Sequence, residues 1–540
     1  MLKQLITGQS KTITSAAILL GGASLVSRLF GVLRDRVLAG QFGAGAELDM
    51  YYAAFRIPDL IFNLLILGSL SAGFIPVFTG YLSNKRKAWQ LLNVVFNVIF
   101  VALIVLAAAM AAGAPFLVRL ITPGFVPAQA AETADLTRIM ALSLLFLGLS
   151  GIFGSVLQSF KSFFIYSLAP ILYNVGIIFG ALIFVPLIGL AGLAWGVVLG
   201  ALLHFIVQLA NVAVLGYRWQ WSFDWRHKGF RQILKMMVPR TLSLIVSQIN
   251  FLVVTIIGST LAAGSITIFN LANNIQSFPL GLFGVSFAVA AFPALAELAE
   301  RKKQFIQTLS LALRQILFLV LPSAALLIVL RAQIVRVVLG TGRFNWEDTI
   351  LTLWTLSIFA VSLFAQALLL LLVRAFFALQ DSKTPFLVGL AAAVLNVVLA
   401  LSLVQNYGVL GLALAFSVAN IFNFMLLFLI LHHRLGQLDG ERISISAAKI
   451  LVATFMLAIA AQAAKYPIEQ WLGLQTFFGI AVQAAAAIFA GLLVYVITGW
   501  LVKSEELNLL IVALEKKVLS RPQIPEEIVE QESIQTDIAG

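Results

Sequence analysis

The sequence predicts an all-α polytopic membrane protein of about fourteen transmembrane helices. Three observations carry this: 61% hydrophobic against 11% charged residues over 540 positions, a mean hydropathy of +1.02, and fourteen apolar runs separated by polar breaks. A soluble domain keeps about a quarter of its residues charged. Runs such as 91–118 and 477–502 cross a hydrocarbon core of about 30 Å at about 1.5 Å per residue.

The first run, 14–40, lacks a small-residue cleavage site and carries Arg28, so it reads as a retained span and no signal peptide. The second, 48–80, holds Pro58, Gly68, Gly73 and Pro76, which supply kink points and close packing. Runs at 90–118, 137–158, 165–187 and 191–215 complete a first group of six. Residues 217–235, YRWQWSFDWRHKGFRQILK, interleave aromatic with basic residues and read as a linker lying on the inner leaflet. A second group of six occupies 238–262, 268–297, 308–338, 350–379, 384–404 and 409–432, and two final runs follow at 446–464 and 473–502. The last twenty residues are polar and read as disordered. The domains expected are a lobe at 1–216, a linker at 217–237, a lobe at 238–433, a two-helix unit at 434–502 and a cytoplasmic tail at 503–540.

The two groups repeat one another. GSLSAGFIPVFTGYLSNKRK (68–87) resembles VSFAVAAFPALAELAERKKQ (285–304) at an offset of 217, with Pro76 over Pro293. IGLAGLAWG (188–196) resembles YGVLGLALA (407–415) at an offset of 219. Six spans per unit is an even number, so both halves run the same way about an axis along the membrane normal.

The formal charge of +12 is of the kind a polytopic protein spends on orientation and anionic lipid, so nucleic acid is not a predicted partner. Lys85, Arg86, Lys87, Lys161, the 218–240 stretch, Arg301, Lys302, Lys303, Lys383, Arg434, Arg442, Lys449 and Lys503 fall in alternate breaks. The breaks 41–47, 188–190, 263–267 and 405–408 contain no Lys or Arg, which predicts both termini inside. One segment disagrees: 330–348 brings Arg331, Arg336 and Arg343 to the outside, where it reads as an amphipathic surface stretch with snorkelling side chains. Arg374, near the inner end of its span, reads the same way. The absence of cysteine excludes disulfides and thiolate metal sites. Four histidines form no HExxH-type pair, and His432 and His433 beside Arg434 read as a solvated loop.

Charge inside the spans is the candidate site, because a charge at bilayer depth costs roughly 2.5–3.5 kcal/mol on insertion scales. Seven residues of helix turn through about 700°, so Arg28 and Asp35 share one face. Asp49, Arg56 and Asn63 repeat that spacing as a stripe about 21 Å long. Two stripes on neighbouring helices predict a polar cavity. Arg34 lies off the stripe by about 120° and is left between the cavity and snorkelling. Arginine can grip a phosphate by bidentate, charge-assisted hydrogen bonds. The competing reading is mutual neutralisation, Arg28 with Asp35 and Arg56 with Asp49.

These residues carry a resemblance. SRLFGVLRDRVLAGQFGAGAELDMYYAAFRIPDLIFNLL followed by GSLSAGFIPVF, with RAFFALQDSKTPF (374–386) and FPLGLFGVSFAVAAFPALAE (278–297), resembles the MurJ/MviN family of lipid II flippases, in order along all fourteen spans. The family belongs to the wider superfamily of multidrug and polysaccharide-lipid exporters. The resemblance implies two six-helix lobes around a central cationic cavity, two last helices forming a lipid-tail groove, and functional charges at Arg28, Arg34, Asp49 and Arg56. Where many members carry an arginine before the FP of the eighth span this chain has Asn273 and Asn274, and Asn63 and Leu67 stand where charges are frequent, so the second lobe is expected to add little positive charge.

The expectation is a non-enzymatic flippase in the bacterial inner membrane. It moves an undecaprenyl-pyrophosphate-linked peptidoglycan precursor, lipid II, to the outer leaflet by alternating access. Arg28, Arg34, Arg56, Asn63 and Asn274 are the substrate-binding candidates, with Asp35 and Asp49 orienting the guanidiniums and gating. No catalytic residue and no cofactor are expected; a coupling ion, Na+ or H+, and any metal are left open. Membrane lipids and the cell-wall synthesis machinery are the other expected partners. The alternatives are a flippase for another polyprenyl-linked saccharide and a cation-coupled drug exporter, which would want acidic residues without arginine. A polyprenyl-sugar glycosyltransferase would want a carboxylate or metal site in a sizeable outer loop, and no outer break exceeds about twenty residues.

Overall fold

The computed structural model describes residues 13–64, 71–436, 438–472 and 476–519. Gly68, Leu67 and the polar tail 521–540 lie outside them. The described residues contain no strand. The first six-span group forms α1 (Ile13–Phe42), α2 (Ala46–Phe62), α3 (Ser71–Tyr81), α4 (Lys85–Ile121), α5 (Pro127–Ser159), α6 (Phe163–Phe179) and α7 (Ala191–Val214). The second forms α8 (Lys228–Gly258), α9 (Ser265–Pro279), α10 (Ser286–Glu297), α11 (Lys302–Val329), α12 (Arg331–Val338), α13 (Trp346–Ala378), α14 (Lys383–Tyr407) and α15 (Val409–Leu435). The pair α16 (Gly440–Leu472) and α17 (Phe477–Leu501) and a last helix, α18 (Glu505–Leu519), complete the order.

Eleven helices among the described residues are long and apolar enough to cross a membrane, so the chain is a multi-pass membrane protein. The other three of the fourteen expected runs fall on α1, on α2 with α3, and on α8. Helices run longer than apolar runs. Thus α5 begins at Pro127, ten residues before the run at 137, because proline suits the first helical turn and the small, polar 127–136 stretch continues the helix beyond the apolar segment.

Two large apolar cores organise the helices. Phe78, Leu91, Phe153 and Val212 belong to the first, and Phe269, Phe359, Leu371 and Phe416 to the second. Helix α8 joins them: Phe230 and Ile233 near its start pack in the first core, while Val254 and Ile257 near its end pack in the second. The repeat is visible in backbone irregularities. A wide π-type turn at 63–64 has its counterpart at Leu280–Val285, 217 residues on. Such turns bend a helix where one residue is inserted into the hydrogen-bond ladder.

One sequence expectation changes. His432 and His433 lie in the last turn of α15, because the apolar face of that helix continues through Leu431 and Leu435 into the core. In the 330–345 segment the arginines are held by aromatic faces and an acid: Arg331 lies over Trp354 at 4.7 Å, Arg336 over Trp346 at 5.8 Å, and Arg343 pairs with Glu47 at 3.5 Å. The motif QDSKTP makes the turn into α14. Gln380 takes a left-handed φ of 57°. Asp381 accepts from Lys383 N, Thr384 N and Thr384 Oγ1, and pairs with Arg434 at 2.6 Å.

At the opposite side of the second lobe, α16 and α17 pack as a pair and α16 lies against α11. Buried Arg314 of α11 pairs with Glu505 at 3.0 Å and Glu506 at 2.5 Å, and Ser446 and Ser504 donate to Glu506. The first turn of α18 thereby ties the two-helix unit to the second lobe.

Two predictions follow from this packing. Gly176 and Gly180 of the fifth span face Gly192, Gly196 and Gly200 of α7 so closely that a Cβ at 196 would lie 2.6 Å from Gly180 Cα. Gly196→Leu should lower the thermal midpoint in detergent by the equivalent of about 1–3 kcal/mol or more, whereas Gly113→Ala, which meets only the Leu117 side chain at 3.7 Å, should not. The Thr384 N–H, its hydroxyl and Arg434 hold the Asp381 carboxyl below its ordinary range. Its stabilisation is therefore present above the unfolded carboxylate value of about 3.9 and lost as pH falls through the folded one. Asp381→Asn should make acid unfolding shallower in that window.

Candidate functional site

Between the cores lies a cavity of about 370 Å³, walled by Arg34 and Leu38 of α1, Arg56 and Asp59 of α2, Gln248 and Phe251 of α8, and Asn270, Asn273 and Asn274 of α9. Tyr51, Tyr52, Phe55, Asn63 and Ile177 complete the wall. A smaller space of about 150 Å³, lined by Arg28, Asp35 and Ser277, lies on the other side of Arg34 and Asn274. The cavity is thus closed by both lobes, a wider enclosure than the two facing stripes of α1 and α2 predict.

Neither expected neutralising pair, Arg28–Asp35 or Arg56–Asp49, is among the ion pairs of the described residues. Arg28 Nη1 donates to Ser277 O at 3.1 Å, across the lobe boundary, and its guanidinium packs on Gly281. Asp35 is taken by its neighbour: Arg34 Nε and Nη2 donate to Asp35 Oδ1 at 3.0 and 2.8 Å, and Asn274 Nδ2 donates to Asp35 Oδ2 at 2.9 Å. Arg34 Nη1 reaches Asn174 Oδ1 at 3.1 Å, so this arginine points into the protein. Helix geometry puts positions 28 and 35 on one face. The long side chain of Arg28 spends that geometry on α9, and the adjacent Arg34 is free to fold back.

Arg56 is buried, with Nε donating to Thr255 Oγ1 and Nη2 to Asn270 Oδ1, each at 3.1 Å, and its guanidinium lies 5.3 Å from the Phe251 ring centroid. Its Nη1 has no bonded partner among the described residues. All these partners are uncharged and belong to the second lobe. Asn63 donates to Asp59 O and Oδ1, both at 2.9 Å. Asp49 sits away from the cavity at the end carrying loops 43–45 and 259–264. It accepts from Gly264 N at 2.6 Å, Thr267 N at 2.8 Å and Thr267 Oγ1 at 2.7 Å. It therefore caps the N-terminus of α9 from the opposite lobe, where its charge also meets the positive end of the helix dipole. At the same end Arg343 N donates to Gly40 O at 2.8 Å, Ala44 N to Asp348 Oδ2 at 3.1 Å, and Gly124 N to Ser259 Oγ at 3.2 Å.

Sequence reasoning missed Asp59, Asn270 and Asn174. Asn270, Asn273 and Asn274 stand at i, i+3 and i+4 on one helix face, and Asp59 stands three residues after Arg56, so the spacing signal was there. Among the described residues the second lobe brings no cation to the cavity wall, as the asparagines at 273 and 274 predict. Among the described residues no group of three or more His, Asp and Glu is placed to hold a metal ion.

A family model described as "Lipid II flippase MurJ" matches residues 38–483. The chain belongs to the MurJ family. Its relatives include the "Probable lipid II flippase MurJ" of Vibrio cholerae, 30% identical with 78% of this chain and 83% of that protein covered. The protein of the same description from Rhizobium tropici is 32% identical, covering 78% and 81%. A solved structure titled "Lipid II flippase MurJ, inward closed conformation" superposes with a TM-score of 0.73 at 25% identity, covering 89% of this chain and 98% of that one. An inward-facing multidrug MATE transporter shares the fold, with a TM-score of 0.63 at 14% identity over 77% and 96%. MurJ-family proteins are transporters and not enzymes.

The Asp49 cap gives a test. Asp49→Ala leaves the Gly264 and Thr267 N–H groups without their acceptor, a loss of about 0.5–2 kcal/mol by the scale of helix caps. A cysteine at Ile266, fully buried in the wild type, should label faster with a soluble thiol reagent in the Asp49→Ala background, with Asp49→Asn intermediate.

Proposed function

We propose that this protein is a flippase that carries undecaprenyl-pyrophosphate-linked peptidoglycan precursor from the inner to the outer leaflet of the bacterial inner membrane. The observation that carries the reading is Arg56. It is a buried guanidinium in the inter-lobe cavity of a MurJ-family chain, held by neutral acceptors with one nitrogen unspent. A pyrophosphate supplies the anionic oxygens such a group lacks. Arg56 is the first anion contact, with Arg34 beside it. Asn63, Asn273 and Asn274 supply amide contacts, and Arg28 in the adjoining space meets the substrate on its way in or out. Asp35 holds Arg34, and Asp49 closes the loop-43 end of the lobes. A cation exporter of the shared fold would place carboxylates in the cavity without arginine; here Arg34 and Arg56 face one carboxylate on the wall, Asp59.

Alternating access follows from where the lobes touch. With both termini inside, as the Lys and Arg distribution supports, the bonds at Asp49, Gly40, Ala44 and Gly124 lie at the outer end and shut the cavity from outside. The pair α16–α17, joined to the second lobe through α11, offers the membrane-facing surface for the polyprenyl chain. The cell-wall synthesis machinery is the consumer of the delivered precursor.

Depleting the protein in its own host should accumulate lipid-linked precursor in the inner leaflet in a leaflet-resolved assay; an unchanged distribution contradicts the reading. In complementation, Arg56→Ala should abolish transport while the protein still inserts. Arg56→Lys should restore only part of it, since an ammonium keeps the charge and loses the planar fork.

A further inference from the structure

The segment between the lobes, residues 217–227, carries an arrangement that the transport reading does not use. It leaves α7 as an extended chain fastened along α4 by two buried asparagines. Asn93 accepts from Tyr217 Oη at 2.8 Å and from Gln220 N at 3.1 Å. Asn97 accepts from Trp219 Nε1 at 2.9 Å and donates to Gln220 O at 2.8 Å and Ser222 O at 3.2 Å. Side-chain amides that satisfy backbone groups in this way set the register of an extended segment as a neighbouring strand would.

That register decides where the aromatic residues go. Alternate residues of an extended chain share a face, and the odd positions here are Tyr217, Trp219, Trp221, Phe223 and Trp225. Tyr217 is buried against α4, while Trp219, Trp221, Phe223 and Trp225 are 46–60% exposed. Three of the exposed rings form a ladder: Trp219 to Trp221 at 4.8 Å and Trp221 to Phe223 at 5.6 Å between centroids. A contiguous row of this kind, pinned at its base, marks a contact surface.

Its depth can be read from α4. Val101, Val105, Phe116 and Leu120 form the exposed apolar side of that helix, between 41% and 70% exposed, whereas Leu91, Leu92, Val94, Val95 and Val98 are buried. From position 101 to 120 the helix rises about 30 Å, the thickness of a hydrocarbon core. Asn97, which holds Trp219, lies one turn, or about 6 Å, before that belt begins. The ladder therefore stands at the membrane–water boundary, where tryptophan and tyrosine rings settle with an apolar body and a polar edge. Between 217 and 235 the cations Arg218, Arg226, Lys228, Arg231 and Lys235 face one acid, Asp224, whose carboxylate already accepts from Arg226 N.

We infer that the 217–227 strap is a lipid-surface anchor that binds anionic phospholipid headgroups at the boundary and sets the depth of the first lobe. The Trp219–Trp221–Phe223 ladder enters the headgroup layer and the neighbouring cations engage the phosphates of an anionic surface. Because the strap is keyed to α4 and runs directly into α8, which spans both cores, the anchor holds the first lobe while leaving α9 and the rest of the second lobe unattached.

The chain contains no cysteine, so Trp221→Cys gives a unique spin-label site on an exposed position in the full-length protein. The protein is reconstituted in vesicles of phosphatidylcholine alone and of phosphatidylcholine with an equal part of phosphatidylglycerol, and label depth is read from the ratio of oxygen to nickel-chelate accessibility. The proposal expects the label at headgroup depth in the anionic vesicles, a shift toward water in phosphatidylcholine alone, and the same shift in anionic vesicles on adding Arg218→Gln with Arg226→Gln. A label equally exposed to water in both vesicles overturns the anchor. Equal depth in both overturns the anionic preference. Shielding from both reagents points to a protein partner and overturns the lipid assignment.

Discussion

A guanidinium or carboxylate inside an apolar bundle must be met by polar atoms, and for Arg28, Arg56 and Asp49 those atoms come from the other lobe and are neutral. Arg28 donates to Ser277 O, Arg56 to Thr255 and Asn270, Asp35 accepts from Asn274, and Asp49 accepts from Gly264 and Thr267. These cross-lobe charges sit on α1 and α2 and their partners on α8 and α9 or the turn just before α9, while Arg34 and Asp35 also pair with each other on α1. A hydrogen bond to a charged group contributes about 1.5–3 kcal/mol, enough to seat the lobes in register. When it breaks, no second bare charge is left in the opposite wall, in contrast to a parted buried ion pair. The seam is therefore built to be opened and remade, and a guanidinium with neutral partners still carries its full charge to a ligand.

The same division explains why the two ends of the seam do different work. At the loop-43 end Asp49 completes the first turn of α9, and nearby backbone groups of 40, 44 and 124 bond across the boundary. There the contacts are closed on themselves. In the middle, Arg34 and Arg56 border a space of about 370 Å³ whose second-lobe wall is amide and aromatic. A cavity with this polarity is suited to a phosphate-bearing substrate, whereas the far side of the second lobe, where Arg314 is paired with Glu505 and Glu506, is a fixed joint.

Much of this was legible in the sequence, and what was not has a physical reason. Hydropathy and the offset of 217 between halves reveal a helical membrane protein with two related groups of spans, and the shared offset reappears in the wide turns at 63–64 and Leu280–Val285. Charge at bilayer depth singles out Arg28, Arg34, Asp35, Asp49 and Arg56, because the cost of burial makes chance placement rare. Their partners were hidden, since helical spacing reports only neighbours on one helix, while the bonds that matter join residues about 200 or more apart, as Arg56 to Thr255 and Asn270. Asn270 on its own is an ordinary polar residue in an apolar run, and Asp49 looks like a partner for Arg56 until the start of α9 is seen beside it.

The central claim, that Arg56 keeps its charge available because its partner is neutral, is tested most directly by Asn270→Asp. The substitution changes no heavy-atom count and places a carboxylate where the Arg56 guanidinium already donates. If the account is right, the variant inserts normally, its thermal midpoint is unchanged or raised, and transport of lipid-linked precursor is lost because the cavity charge is spent within the protein. Full transport by the Asn270→Asp variant would contradict it.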